Sequence, residues 1–225
     1  MEFTNYSAFI CVAAPMLLMI FMVEPKARAN MAGIFVGLVL CLMASELNGI
    51  LLNLFNQDYS YVTTSITPMV EETFKAIPVI YFAYLFSDKR ETLLAFSFAV
   101  GVGFAIMENL ALMIANPNSI AIEWAIARGL CTGLMHAICT AMIGMCLAKI
   151  RTVNKVRLLE FFAMLTLSIT YHGVYNALVQ SEHMYLGLLL PAVTYLGIFI
   201  VVRMRHRTPK EQGQEHVQNV SEVEG

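Results

Sequence analysis

Long apolar runs broken by short polar segments divide this chain from end to end. Seven runs reach or approach the roughly 20 residues that a helix needs to cross a bilayer. They lie at about 6–23, 31–54, 64–86, 92–115, 122–148, 158–179 and 185–203. The pattern predicts an all-α, polytopic membrane bundle of about seven transmembrane helices. Residues 1–203 then form a single transmembrane domain. Residues 204–225 turn polar, have too few apolar side chains to pack, and are expected to be a disordered cytoplasmic tail. The opening stretch MEFTNYSAF has no basic region, so the first run is expected to stay as a helix.

The polar segments between the runs alternate in charge. EPKARAN, SDKRE, KIRTVNKVR and RMRHRTPK are basic, whereas NQDYSYVT, ANPNSIAIE and QSEHMY hold no Lys or Arg. Of the 14 Lys and Arg residues, 12 fall in the four basic segments. The positive-inside rule then places the N-terminus outside and the C-terminus in the cytoplasm. Only Lys75 and Arg128 are left over, and both lie within apolar runs. They cannot be topology signals.

Composition agrees with the pattern. The chain of 225 residues is 58% hydrophobic and 13% charged, against roughly 25% charged in soluble domains. The expected location is the cell membrane, as a multi-pass protein of a bacterial plasma membrane, and no nucleic-acid partner is indicated. Cys11, Cys41, Cys131, Cys139 and Cys146 all sit in apolar runs without a CxxC spacing, which argues against a disulfide framework or a thiolate zinc site. Gly33 with Gly37, and Gly129 with Gly133, have the small-xxx-small spacing that lets helices approach closely.

The polar residues inside the runs share one layer. At about 1.5 Å of rise per residue, Glu71, Glu72 and Lys75 lie about 10–17 Å from the outer end of their run. Glu108 and Asn109 lie about 10 Å in, Arg128 about 9 Å, His172 about 10 Å and His136 about 20 Å. Asn176 lies near the outer surface, and Glu46 and Asn48 fall at a depth similar to the carboxylates. A charge at such depth costs about 2.5–3.5 kcal/mol on insertion scales, so these groups are expected to be paired around a shared cavity. Glu71 and Lys75 (i, i+4), Glu72 and Lys75 (i, i+3), and His172 and Asn176 (i, i+4) can each share a helix face. Pro78 frees the carbonyl of Phe74, which is tolerable beside a wet cavity.

This inventory narrows the chemistry. The only Asp residues, Asp58 and Asp88, lie in loops, so an intramembrane aspartyl dyad is excluded. There is no HExxH and no GxSG-type serine motif. A carboxylate that activates water remains, with histidine and amide donors for an oxyanion, and this suits peptide-bond hydrolysis.

Four short motifs occur in order along the chain. Glu71, Glu72 and Lys75 form EExxK; Phe104, Glu108 and Asn109 form FxxxEN; His136 stands alone in the next run; His172 and Asn176 form HxxxN. In this order, on successive helices over about residues 64–180, they resemble the PrsW family of membrane proteases, which is related to the CAAX prenyl proteases and the Abi-type proteins. The resemblance implies a glutamic-type intramembrane endopeptidase. By motif, Glu71 is the water-activating base and His172 with Asn176 the oxyanion-binding pair. Glu72 shares the base role or pairs with Lys75 or Arg128. Glu108 stands where the prenyl-protease relatives have histidine. His136 joins the catalytic set, and Lys75, Asn109 and Arg128 support it. The implied substrate is a single-span membrane protein such as an anti-sigma factor, cut near the extracytoplasmic side. No cofactor is expected.

Three alternatives stand beside this reading. A metal-dependent version would use His136, His172 and a glutamate such as Glu108 to hold Zn²⁺. A proton-coupled transporter would use the same carboxylates as a relay, but it would need polar residues towards the cytoplasm, where these runs are nearly apolar. A scaffold or immunity protein retaining an ancestral fold would tolerate Glu71→Gln.

Overall fold

The computed structural model describes residues 2–20, 23–56, 58–87, 89–116, 121–148 and 155–207. Helices occupy all seven expected stretches. They are α1 (Glu2–Ile20), α2 (Pro25–Leu54), α3 (Tyr59–Tyr61) leading into α4 (Thr67–Leu85), α5 (Arg90–Ala115), α6 (Ile122–Ala127) leading into α7 (Gly133–Cys146), α8 (Lys155–Val179) and α9 (Met184–Arg207). No strand occurs among the described residues. Ala27–Leu54, Arg90–Ala115 and Ile122–Cys146 are long and apolar enough to cross a membrane, and Phe9–Ile20 and Met184–Ile200 are shorter apolar helices. In α4 the apolar run is interrupted by Glu71, Glu72 and Lys75.

Two departures from the expected helices matter. The third and fifth stretches are not uniform α-helices. A π-helical turn, Val62–Ile66, joins α3 to α4, and a second, Arg128–Thr132, joins α6 to α7. A π turn inserts an extra residue and rotates the helix beyond it, often at functional sites. At the first, Thr63 and Thr64 donate their hydroxyls to the carbonyls of Tyr59 (2.8 Å) and Ser60 (2.7 Å), and such back-bonding bends helices. The second departure is at the C-terminus. The polar pattern starts the tail at residue 204, but α9 continues to Arg207. Residues 208–225 of that expectation lie outside the described residues.

The chain divides into Met1–Pro191 and Ala192–Gly225. In the first unit α5 is central, packed along α2 on one side and α7 on the other, while α4 meets α2, α7 and α8. The core joins Leu38, Val79, Leu93, Val100, Phe104, Met107 and Ile143, all fully buried. Phe82 of α4 stacks on Phe96 of α5 at 4.0 Å between centroids. Glycine sets how closely α5 approaches its neighbours. A Cβ on Gly37 would collide with the Val100 carbonyl, and one on Gly103 with the Ile34 carbonyl. A Cβ on Gly101 would lie 2.5 Å from the His136 carbonyl oxygen. Gly129 and Gly133 behave differently from the packing expectation, since nothing lies within 4 Å of a Cβ at either. The outward faces carry Leu18, Ile50, Ile77, Tyr84, Leu130 and Leu159, each more than half exposed; so broad an apolar surface marks contact with lipid or another protein. In the second unit, the described residues from Ala192 are helical to Arg207.

Candidate active site

Three helices bring five ionisable side chains into one buried cluster. α4 supplies Glu71, Glu72 and Lys75, α7 supplies His136 and α8 supplies His172; all five are buried. Adjacent residues on a helix point about 100° apart, and this divides the two glutamates. Glu72 Oε1 accepts from Lys75 Nζ at 2.6 Å and from His172 Nδ1 at 2.8 Å. Glu71 has one close donor, Asn48 Nδ2 at 3.5 Å from its Oε1. Its Oε2 is buried without a hydrogen-bond partner, as are Glu72 Oε2 and Asn48 Oδ1.

The hydrogen bonds fix what each ring can do. An ammonium only donates, so His136 Nδ1, 2.9 Å from Lys75 Nζ, accepts. The neutral His136 ring then carries its hydrogen on Nε2 and donates to Glu108 Oε2 at 2.6 Å. His172 is arranged the opposite way. Its Nδ1–H is held by Glu72, which leaves the Nε2 lone pair facing Glu71 Oε2 across 3.9 Å. The two atoms face each other without a hydrogen bond between them, and both could bind a water or a cation placed beside them. The two rings meet edge to face at 4.9 Å, and Lys75 Nζ lies 4.5 Å from the centre of the Phe104 ring.

A second group supports the first. Arg128, at the start of the π turn, donates through Nη2 to Glu108 Oε1 (3.0 Å) and through Nε to Asn109 Oδ1 (2.9 Å). Asn109 Nδ2 returns a bond to the Arg128 carbonyl at 3.4 Å. Glu108 thus bridges Arg128 and His136. Of the three carboxylates, Glu72 pairs with Lys75 and Glu108 with Arg128, and Glu71 has no Lys or Arg partner among the described residues. A cavity of about 290 Å³ opens beside Glu71 and Glu108, lined also by Ser45, Asn48, Tyr59 and Ala111.

The structure brings together Glu71, Glu72, Lys75, Glu108, Asn109, Arg128, His136 and His172. Asn176 is placed otherwise. Its Nδ2 donates to the Thr63 carbonyl at 2.9 Å, and among the described residues it makes no hydrogen bond to this cluster. It thereby serves the first π turn, where Gly173 also packs against the Thr64 carbonyl. Sequence reasoning did not single out Thr132 and Tyr175, whose hydroxyls share a buried 2.7 Å bond between the second π turn and α8. A Thr and a Tyr in apolar runs carry no signal of pairing by themselves. Glu71, His136 and His172 each offer one ligand atom, all within 4.8 Å of one another; they would have to close to about 3.4 Å to share a tetrahedral ion at about 2.1 Å from each.

Comparison with known proteins gives the family. A family model described as "PrsW family intramembrane metalloprotease" matches residues 25–204. "Protease PrsW" of Geobacillus kaustophilus is 29% identical over 135 residues, 58% of this chain and 58% of that protein. "Protease PrsW" of Halalkalibacterium halodurans is 31% identical over 130 residues, 56% of this chain and 58% of that protein. The chain therefore spans 58% of the length of these curated relatives. No solved structure matches it.

Proposed function

Since the chain belongs to the PrsW family, we propose that it is an intramembrane endopeptidase that cuts a single-span membrane protein, of the anti-sigma-factor kind, near the extracytoplasmic side. The observation that carries this reading is the approach of Glu71 Oε2 and His172 Nε2 to 3.9 Å. A water there would lose a proton to Glu71 as its oxygen adds to the scissile carbonyl carbon. The proton then passes to the leaving nitrogen as the C–N bond breaks. Glu72 orients His172 through Nδ1, and Lys75 balances Glu72. Arg128 and Asn109 hold Glu108, which holds His136. The basic segments favour seven spans with the N-terminus outside, which puts the cluster in the outer half of the bilayer.

The same approach favours a second reading, and the description of the family as metalloproteases supports it. Glu71, His136 and His172 would hold a divalent ion such as Zn²⁺, with Glu72 as the outer carboxylate that fixes a ligating histidine. When bound, the ion would polarise the scissile carbonyl and acidify its water. Both nitrogens of His136 are engaged, so it would have to release Lys75 or Glu108. This reading also supplies a positive group for the oxyanion, because Asn176 and the His172 hydrogen are both committed elsewhere.

The test uses the full chain in liposomes with a panel of single-span membrane proteins. Cleavage that is lost in Glu71→Gln and in His172→Ala but survives a strong chelator supports the glutamate mechanism. Cleavage lost to chelator and restored by Zn²⁺ supports the metal-dependent one. A genuine substrate processed equally by all variants sinks both.

A further inference from the structure

We infer that Asn48, on α2 and outside the motif-bearing helices, is a positioning residue for Glu71; the inference rests on the proposed protease reading. Asn48 is the one side chain among the described residues within hydrogen-bond distance of Glu71, with Nδ2 at 3.5 Å from Oε1. That separation is at the long limit for such a bond, and catalytic hydrogen bonds often tighten only when substrate binds. Every other acidic member of the cluster is held more firmly. Glu72 has two donors on one oxygen, and Glu108 is held by Arg128 and His136. Among the described residues, no hydrogen bond from α4, α7 or α8 decides which oxygen of Glu71 turns towards His172.

Asn48 also lines the 290 Å³ cavity, and its Oδ1 is buried and unpartnered. A buried amide oxygen left unpaired is destabilising. Such a cost is reasonable where the oxygen awaits an N–H from outside the chain. An extended peptide in the cavity offers one at every residue. A turn of the Asn48 side chain would bring Oδ1 to such an N–H in the cavity, and Nδ2 would settle onto Glu71. Ser45 stands three residues earlier on α2 and lines the same cavity, so this face of α2 presents a polar wall to substrate. The close contact of Gly37 and Gly103 with the opposing backbones of α5 and α2 sets the height of α2, and Asn48 lies about three turns beyond Gly37.

The experiment reads Glu71 directly and needs no substrate. The full chain, carrying ¹³C-labelled glutamate, is reconstituted in liposomes and its carboxylate infrared bands are recorded. The band missing in Glu71→Gln belongs to Glu71. In Asn48→Ala and Asn48→Ser that band is expected to shift, with the thermal unfolding midpoint near that of wild type. On a cleaved substrate, kcat is expected to fall by up to about 100-fold, the scale of a misplaced catalytic group, with the larger change in kcat and not in KM. Asn48→Ser serves if Asn48→Ala fails to fold. An unshifted Glu71 band in a folded Asn48 variant overturns the inference and leaves the protease reading intact. Full cleavage by Glu71→Gln overturns the protease reading itself, whatever Asn48 does.

Discussion

Replacing Glu71 or Glu72 by Gln tests two side chains that are adjacent in sequence and differently bound. Glu72→Gln removes the negative partner of a Lys75 ammonium that is 0% exposed. An unpaired buried charge costs about 3–5 kcal/mol, so a large fall in thermal unfolding midpoint is expected in detergent. Adding Lys75→Met should recover most of that loss, because it removes both charges together. Glu71→Gln takes away no ion pair and should leave the midpoint nearly unchanged. Its effect belongs to chemistry, with cleavage lower by about 10²–10⁴-fold if it is the general base. A Glu71→Gln protein that unfolds as readily as Glu72→Gln would show that the two glutamates share a structural task.

At the scale of elements, glycine and the π turns do what regular helices could not. Gly37 and Gly103 let α2 and α5 pack backbone to backbone. Gly103→Ala is therefore expected to cost about 1–3 kcal/mol through overpacking, whereas Gly133→Ala, in open space, should cost nothing measurable in the same unfolding assay. The two π turns sit just before Glu71 and His136 and are held by Asn176 and by the Thr132–Tyr175 bond. Asn176→Ala should consequently act through α3 and α4: cleavage falls because Glu71 moves, and the unfolding midpoint falls with it. A drop in cleavage at an unchanged midpoint would instead return Asn176 to direct contact with the oxyanion.

For the whole molecule, the charge pattern and the apolar surface describe a protein immersed in lipid. With seven spans, a fluorescent protein fused at the C-terminus should mature in the cytoplasm. An alkaline phosphatase inserted in the 181–183 turn should be active outside. The reverse result would move the carboxylate layer to the inner half of the bilayer and make an extracytoplasmic cut untenable. Chelator sensitivity also belongs to this scale, since it asks what the assembled cluster holds and not what any one residue does.

The sequence by itself determined the helical architecture, the seven stretches and most members of the buried polar cluster. Apolar runs of bilayer length admit few other structures, and a charge inside such a run is costly enough to mark a purpose. Glu71, Glu72, Lys75, Glu108, His136 and His172 were legible for that reason. The tertiary structure decided how they divide the work. Which glutamate takes Lys75 and His172, which ring nitrogen is free, and that Asn176 serves a backbone carbonyl while Asn48 approaches Glu71 all depend on helix rotation and height. Those are set by the π turns and by glycine contacts between α2, α5 and α7. Spacing along one helix fixes which side chains share a face; only packing between helices, through contacts far apart in the chain, fixes what that face meets.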